Sequence, residues 1–316
     1  MRSLTDFEAP AAVVGEVVPP TPQIRWPLLC EALGSEVWVK HENHGPVGAF
    51  KLRGGLVYVD RLVRRAEVPG LVSATRGNHG QSIALAGSRH RLPVTIVVPH
   101  GNSREKNAAM RSLGATLVEH GDDFQAAREY AAVLADRDGL HMVPSFHPDL
   151  VDGVSTYPLE LFRAVPDLDV VYVPIGLGSG ACAVLQARDA LGLRTRVVGV
   201  VSAHAPAYAL SLDAGEPVSH PVSTALADGL ACSTPEPTAV EAIRAGVDHI
   251  VQVTDDEVGA AMRTMFVCTH NVAEGAGAAG WAAAWKERES IAGQRVAVVL
   301  TGGNVDADVF ARQLQR

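Results

Sequence analysis

Val170-Val-Tyr-Val-Pro-Ile-Gly-Leu-Gly-Ser-Gly-Ala-Cys182 carries an apolar stretch straight into three glycines and a serine. The run Val170–Ile175 has no polar alternation, so it reads as a strand buried on both faces, as in a parallel sheet covered by helices. Gly176, Gly178 and Gly180, with Leu177 and Ser179 between them, let the backbone approach a ligand at the start of an alanine-rich helix. N–H groups and the helix dipole there favour an anion such as a phosphate. A dinucleotide-binding turn is the rival reading. The spacing, however, is GxGxG rather than GxGxxG, and the next strand, Arg196–Ser202, ends without the acidic residue that would hold a ribose.

Outward from this point, short β-rich runs alternate with helical patterns. Strands are expected at Glu36–Lys40, Leu71–Ala74, Val94–Pro99, Thr116–His120, Arg196–Ser202, His249–Val253 and Arg295–Thr301. Helices are expected at Asn78–Arg89, Ser103–Leu113, Asp122–Ala135 and Asp255–His270. The pattern is that of an α/β protein with two open, mostly parallel sheets and flanking helices. Residues 46–148 hold four β-α units and are expected to form a small domain. Residues 1–45 and 149–316 would pair into a larger one. Ligands in such folds bind outside the carboxyl ends of strands, in the crevice between domains.

The bulk numbers exclude several functions. A chain of 316 residues with 47% hydrophobic and 20% charged content is globular. A net charge of −8, with a pI near 5.8, argues against a nucleic-acid or anionic-membrane partner. The start, MRSLTDFEAP, has acids where a signal peptide needs an apolar core, and no stretch reaches a membrane span, so a cytoplasmic protein is expected. Cys30, Cys182, Cys232 and Cys268 lie far apart, and the twelve histidines form no HExxH set, so no metal site is expected.

Among the 27 basic residues only four are lysines: Lys40, Lys51, Lys106 and Lys286. Lys51 sits in Gly45-Pro-Val-Gly-Ala-Phe-Lys51-Leu-Arg-Gly-Gly55, where a Gly/Pro turn delivers it to a helix start behind Phe50. Helix dipole and apolar neighbours both disfavour its ammonium form, which is how a basic or nucleophilic lysine is made. The same turn also suits a lysine lying along an amphipathic helix. The loop Thr75-Arg76-Gly77-Asn78-His79, after the Leu71–Ala74 strand, offers backbone N–H groups to a carboxylate, with Asn78 as helix cap and His79 as a structural residue. Ala273-Glu274-Gly-Ala-Gly277 and Thr301-Gly-Gly-Asn304 read as a helix start and a strand end.

Taken in order, these five motifs resemble the serine/threonine dehydratase family of pyridoxal-phosphate enzymes, fold type II, which has the tryptophan synthase β-like architecture. The family's Ser-Phe-Lys-x-Arg-Gly stands here as Ala49-Phe-Lys-Leu-Arg-Gly54, its phosphate loop as Gly176–Gly180, and its Ser-Gly-Gly-Asn as Thr301–Asn304. The match runs from about Thr21 to Asn304. Within the family, Thr269–Gly277 and Ala203–Leu210 look most like hydroxyectoine-utilisation dehydratases. The resemblance implies that Lys51 carries pyridoxal 5′-phosphate as a Schiff base, with Phe50 beside the ring, Asn78 on its 3-hydroxyl and Thr301 against its nitrogen. Gly176, Leu177, Gly178, Ser179 and Gly180 would hold the phosphate, with Glu274 nearby. The substrate, a small 3-hydroxy amino acid held by Thr75–His79, would displace Lys51. The freed amine would take the Cα proton, and the β-hydroxyl would leave to give a 2-oxo acid and ammonia. A homodimer is common in such relatives. Racemases and β-replacement synthases of the same fold are the alternative activities.

The departures carry information of their own. Serine racemases place a serine where this chain has Arg76, which argues against racemisation. A cation-binding Glu/Asp pair of many relatives corresponds to Val201 and Ala207, with Ala205 between, so no such metal is expected. The family's Gly-Gln-Gly-Thr reads Gly153-Val-Ser-Thr156, leaving one polar pocket contact in doubt, and a regulatory domain after Asn304 is not expected. Arg76 either reads a second polar or anionic group of the substrate or points to solvent. A pocket role predicts that Arg76→Ala alters the preference between threonine and acidic or larger 3-hydroxy amino acids in steady-state kinetics. An unchanged preference places Arg76 on the surface.

Overall fold

The computed structural model describes residues 2–315. Ten strands form two sheets. In chain order they are β1 (Gln23–Arg25), β2 (Glu36–His41), β3 (Leu71–Ala74), β4 (Val94–Val98), β5 (Thr116–Glu119), β6 (His141–Met142), β7 (Val170–Pro174), β8 (Arg196–Ser202), β9 (His249–Val253) and β10 (Arg295–Leu300). The larger sheet has the order β1-β2-β10-β7-β8-β9 and the smaller β5-β4-β3-β6. Every pair is parallel except β1 with β2. The eight strands read from the sequence are present within about one residue at each end. β1 and β6 were not expected: three and two residues are too short to carry a period.

The apolar runs work as their lack of alternation implies. In β7, Val171 and Val173 enter one core, while Val170 and Tyr172 enter the other. In β10, Ala297 and Val299 share the first core with them, and Val296, Val298 and Leu300 the second. A strand between two helical layers has no solvent face on which a polar residue would be tolerated.

Behind the Lys51 segment lies a buried ionic cluster. Arg53, 1% exposed, donates from Nε to Glu42 (2.8 Å) and from Nη1 to Glu160 (2.6 Å) and Thr156 (3.0 Å). Lys40, on β2 and fully buried, donates to Glu160 (2.6 Å) and to the Thr21 carbonyl (2.7 Å). Two cations thus meet two carboxylates. Burial works against the Arg53 charge, but Glu42 and Glu160 outweigh it and raise its pKa above the ordinary guanidinium value.

Glycines bring the same segment into backbone contact with its neighbours. A methyl group on Gly54 would stand 2.7 Å from the Leu150 carbonyl oxygen, and one on Gly153 would collide with the Arg53 carbonyl. Gly153–Thr156 is therefore a packing element: Thr156 Oγ1 accepts from Arg53 and donates to the Gly153 carbonyl (2.8 Å). No helix among the described residues is long and apolar enough to cross a membrane.

Arg53→Met leaves the Glu42 and Glu160 carboxylates sharing the Lys40 ammonium. It is expected to lower unfolding stability by ~3–5 kcal/mol, measured by urea denaturation. A midpoint equal to wild type would show that the cluster does not hold the segment.

Candidate active site

Four loops leave the carboxyl ends of strands and converge. The Lys51 turn follows β2, Thr75–His79 follows β3, Gly176–Gly180 follows β7, and Thr301–Asn304 follows β10. β10 lies between β2 and β7, so three of these loops emerge side by side. The fourth comes from the interior of the smaller sheet. Backbone contacts stitch them together: Phe50 N–H donates to the Thr301 carbonyl (3.0 Å), and Glu274 N–H to that of Gly302 (3.1 Å). Ala49 and Gly302 form an isolated antiparallel bridge.

Lys51 is the first residue of the Lys51–Arg65 helix. Its Nζ lies 3.0 Å from Ser179 Oγ and 5.1 Å from the centre of the Phe50 ring. Burial pushes its pKa down to about 8, so a substantial fraction is neutral amine near physiological pH. Its carbonyl accepts from Ser82 Oγ (2.7 Å), which ties the start of the helix to the Asn78–Arg89 helix.

Gly178 caps the Ser179–Ala190 helix at φ 94°, a left-handed conformation that a side chain would strain. The N–H groups of that helix's first turn have no intrahelical acceptor and face the loop. A methyl on Gly180 would sit 3.6 Å from the Phe50 ring, so the glycine leaves room beside it. Gly176 packs on the Gly229 carbonyl, and the Leu177 carbonyl accepts from Tyr208 (2.9 Å), which fixes the shape of the cradle.

In the β3 loop, the structure corrects the expected cap. Gly77 occupies the N-cap and Asn78 is the first helical residue. The capping acceptor is Thr75, whose Oγ1 takes the N–H of Gly77 (2.9 Å) and of Gly80 (3.3 Å). The Asn78 side chain is thereby free for other partners. Its Nδ2 donates to Glu274 Oε1 (2.5 Å), and its Oδ1 accepts from Asn304 (2.9 Å). Burial, and then the Lys51 charge, hold His79 down to about 3, so it is a neutral ring. Arg76 is exposed.

Two residues near the site escaped the sequence reading. Lys106 pairs with Asp228 (2.6 Å) and Glu274 (3.0 Å) and lays its stem over Gly77. Lysine scarcity was the available signal: Lys40 and Lys106 are buried and Lys51 is half-buried, so the rarity marks three internal lysines rather than one.

Comparison with known proteins now decides the family. Residues 14–302 match the model of the family described as pyridoxal-phosphate dependent enzyme. The chain belongs to that family. It is an enzyme of fold type II with pyridoxal 5′-phosphate as its cofactor. It is similar to an L-threonine ammonia-lyase of Thermotoga maritima, 32% identical over 100% of this chain and 79% of that protein. A biosynthetic L-threonine dehydratase of Haemophilus influenzae is 31% identical over 93% of this chain, which spans 58% of that protein's length. Among solved structures, the processed form of threonine deaminase isoform 2 from Solanum lycopersicum superposes with a TM-score of 0.92. It is 29% identical, over 99% of this chain and 91% of that one.

The residues present fit the cofactor. A partly neutral lysine amine stands beside a glycine loop at a helix N-terminus, an aromatic ring flanks the amine, and an amide is held in one orientation. The depressed Lys51 pKa has a direct test. In the cofactor-free protein, an amine-directed reagent read by mass spectrometry should label Lys51 with a midpoint near pH 8. An ordinary lysine follows a midpoint of ~10.4. Labelling of Lys51 with that ordinary profile would contradict the buried environment.

Proposed function

We infer that the chain is a dehydratase and ammonia-lyase that converts a small 3-hydroxy amino acid of the threonine or serine type into a 2-oxo acid and ammonia. The observation that carries this reading is the contact of Lys51 Nζ with Ser179 at the mouth of the glycine loop, which sets a base next to an anion cradle. The similarity to threonine ammonia-lyases supports the substrate class.

Each residue has a part. Gly176–Gly180 and the first turn of the Ser179–Ala190 helix would hold the phosphate, and Phe50 would flank the ring. Thr301, buried at the end of β10, would meet the ring nitrogen with a neutral hydroxyl. Asn78 would donate to the ring oxygen. What the cofactor supplies when bound is an electron sink that acidifies the substrate Cα–H bond. Thr75–His79 would take the substrate carboxylate on backbone N–H groups. Lys51, displaced by the substrate amine and neutral in part because it is desolvated, would take the Cα proton, and Ser179 Oγ would hold the freed amine in place during the turnover. The β-hydroxyl leaves as water, the proton that Lys51 took from Cα being balanced by one delivered to the leaving oxygen, and a second water then releases ammonia from the freed product.

A hydroxyl rather than a carboxylate at Thr301 would donate a hydrogen bond to the ring nitrogen without stabilising its protonated form, which suits rapid β-elimination over a long-lived carbanion. Arg76, exposed and in the place of a racemase's serine, offers no second base. Residues 46–148 would form a small domain that closes over the substrate and excludes water. The chain would act as a homodimer in the cytoplasm.

The test is release of 2-oxo acid and ammonia by the purified yellow protein across a panel of 3-hydroxy amino acids. Threonine or a close relative is expected to be turned over, and Lys51→Ala to reduce the rate at least ~10²-fold. Inverted amino acid without ammonia, or cysteine formed from acylated serine and sulfide, would overturn the dehydratase reading.

A further inference from the structure

The polar chain behind Asn78 crosses from one sheet's helices to the other's loops. Asn78, on the Asn78–Arg89 helix, and Lys106, on the Arg104–Ser112 helix, come from the smaller sheet. Their partners come from the larger one. Glu274 caps the Gly275–Lys286 helix, Asp228 opens the turn Asp228–Leu230, and Asn304 follows β10. Glu274 is 2% exposed, and the charged groups that act on it are the Lys106 ammonium and the Asp228 carboxylate, with the Asn78 amide as hydrogen-bond donor.

Hydrogen-bond accounting fixes what Asn78 can offer. An amide has two N–H donors and a carbonyl oxygen with two lone pairs. The carbonyl is taken by Asn304 Nδ2, which also donates to the Val47 carbonyl (2.8 Å). One N–H is taken by Glu274. A single N–H is left over, and with the carbonyl turned to Asn304 this N–H is the group that Asn78 can offer the cofactor. A flipped amide would set its oxygen against the Glu274 carboxylate and its NH₂ against the Asn304 NH₂. Both contacts are repulsive.

This arrangement depends on the charge of Glu274, which Lys106 maintains. Two carboxylates share that one ammonium. Burial pushes the Glu274 carboxyl up and Lys106 pulls it back. Burial likewise works against the Lys106 charge, but Glu274 and Asp228 outweigh it and hold its pKa above that of an ordinary lysine. Without the ammonium, a buried carboxylate beside Asp228 takes up a proton. A protonated Glu274 no longer gives Asn78 a charge-assisted hydrogen bond.

We propose that Lys106 is a positioning residue that acts through Glu274 to hold Asn78 as a donor toward the cofactor ring, so that contact between the two sheets' helices and polarisation of the cofactor are one event. The proposal goes beyond the dehydratase reading and uses only the placement of Asn78 at the ring. The Lys106 stem over Gly77 ties the carboxylate-binding loop into the same contact.

The experiment uses the holoenzyme and its absorbance rather than turnover. The ratio of the visible to the near-ultraviolet cofactor band reports the protonation of the ring oxygen. It is recorded across the pH range around neutrality for wild type, Lys106→Met, Lys106→Arg and Lys106→Met/Glu274→Gln. Wild type is expected to hold a constant ratio, and Lys106→Met to show a new pH-dependent step of about fivefold, the difference between a charge-assisted and a neutral hydrogen bond. Lys106→Arg should restore the constant ratio. The double variant should abolish the step, because a glutamine carbonyl accepts from Asn78 without titrating. Should Lys106→Met lack the native circular dichroism, Lys106→Gln takes its place, since its amide can still bond Asp228. A folded, uncharged Lys106 variant whose spectrum superposes on wild type throughout overturns the proposal. So does a step of the same size in the double variant. A wild type with no visible band overturns both the proposal and the placement of the cofactor, which separates the two failures.

Discussion

Arg53 is buried two residues beyond Lys51, and its guanidinium bridges Glu42, just past β2, to Glu160 on the Thr156–Ala164 helix. An unpaired buried charge of this kind is costly, so the arrangement in which the three segments meet is favoured over any that separates them. Lys40 adds a second cation on Glu160, and the Thr21 hydroxyl contacts Glu42. The start of the Lys51–Arg65 helix is thus held by charge pairing that tolerates little displacement. That is what lets a flexible lysine side chain present its amine 3.0 Å from Ser179.

The glycines complete the constraint. Gly54 and Gly153 allow backbones to touch where side chains would separate them, and Ser82 bonds the Lys51 carbonyl directly. The segment is fixed from the side of the larger sheet by the ion cluster and from the side of the smaller sheet by the Asn78–Arg89 helix. Lys51 therefore sits where the two sheets' layers meet. The same crossing recurs on the other side of the site, where Lys106 and Asn78 reach Asp228, Glu274 and Asn304.

Much of this was legible in the sequence because it is local. Unalternating runs such as Val170–Ile175 announce parallel strands, and glycine spacing announces a cradle, since both signals lie within a dozen residues. The five motifs in order also disclosed the family. What stayed hidden is long-range. Lys106 and Asp228 are 122 positions apart and Asn78 and Glu274 are 196 apart, so neither pair leaves a pattern that a single chain can show. β1 and β6 were missed because an edge pairing of two or three residues is specified by its neighbour rather than by its own sequence. The cap at Asn78 was misread because Thr75, three residues earlier, offers an oxygen to the Gly80 N–H that an Asn78 cap would also reach, and only the turn geometry decides between them.

The central claim is that Lys51, and no other lysine, carries the cofactor. Borohydride reduction of the holoenzyme followed by peptide mapping tests it most directly, because only four lysines compete for the label. The account predicts a single reduced adduct, on the peptide that contains Lys51. An adduct on Lys40, Lys106 or Lys286 would contradict it.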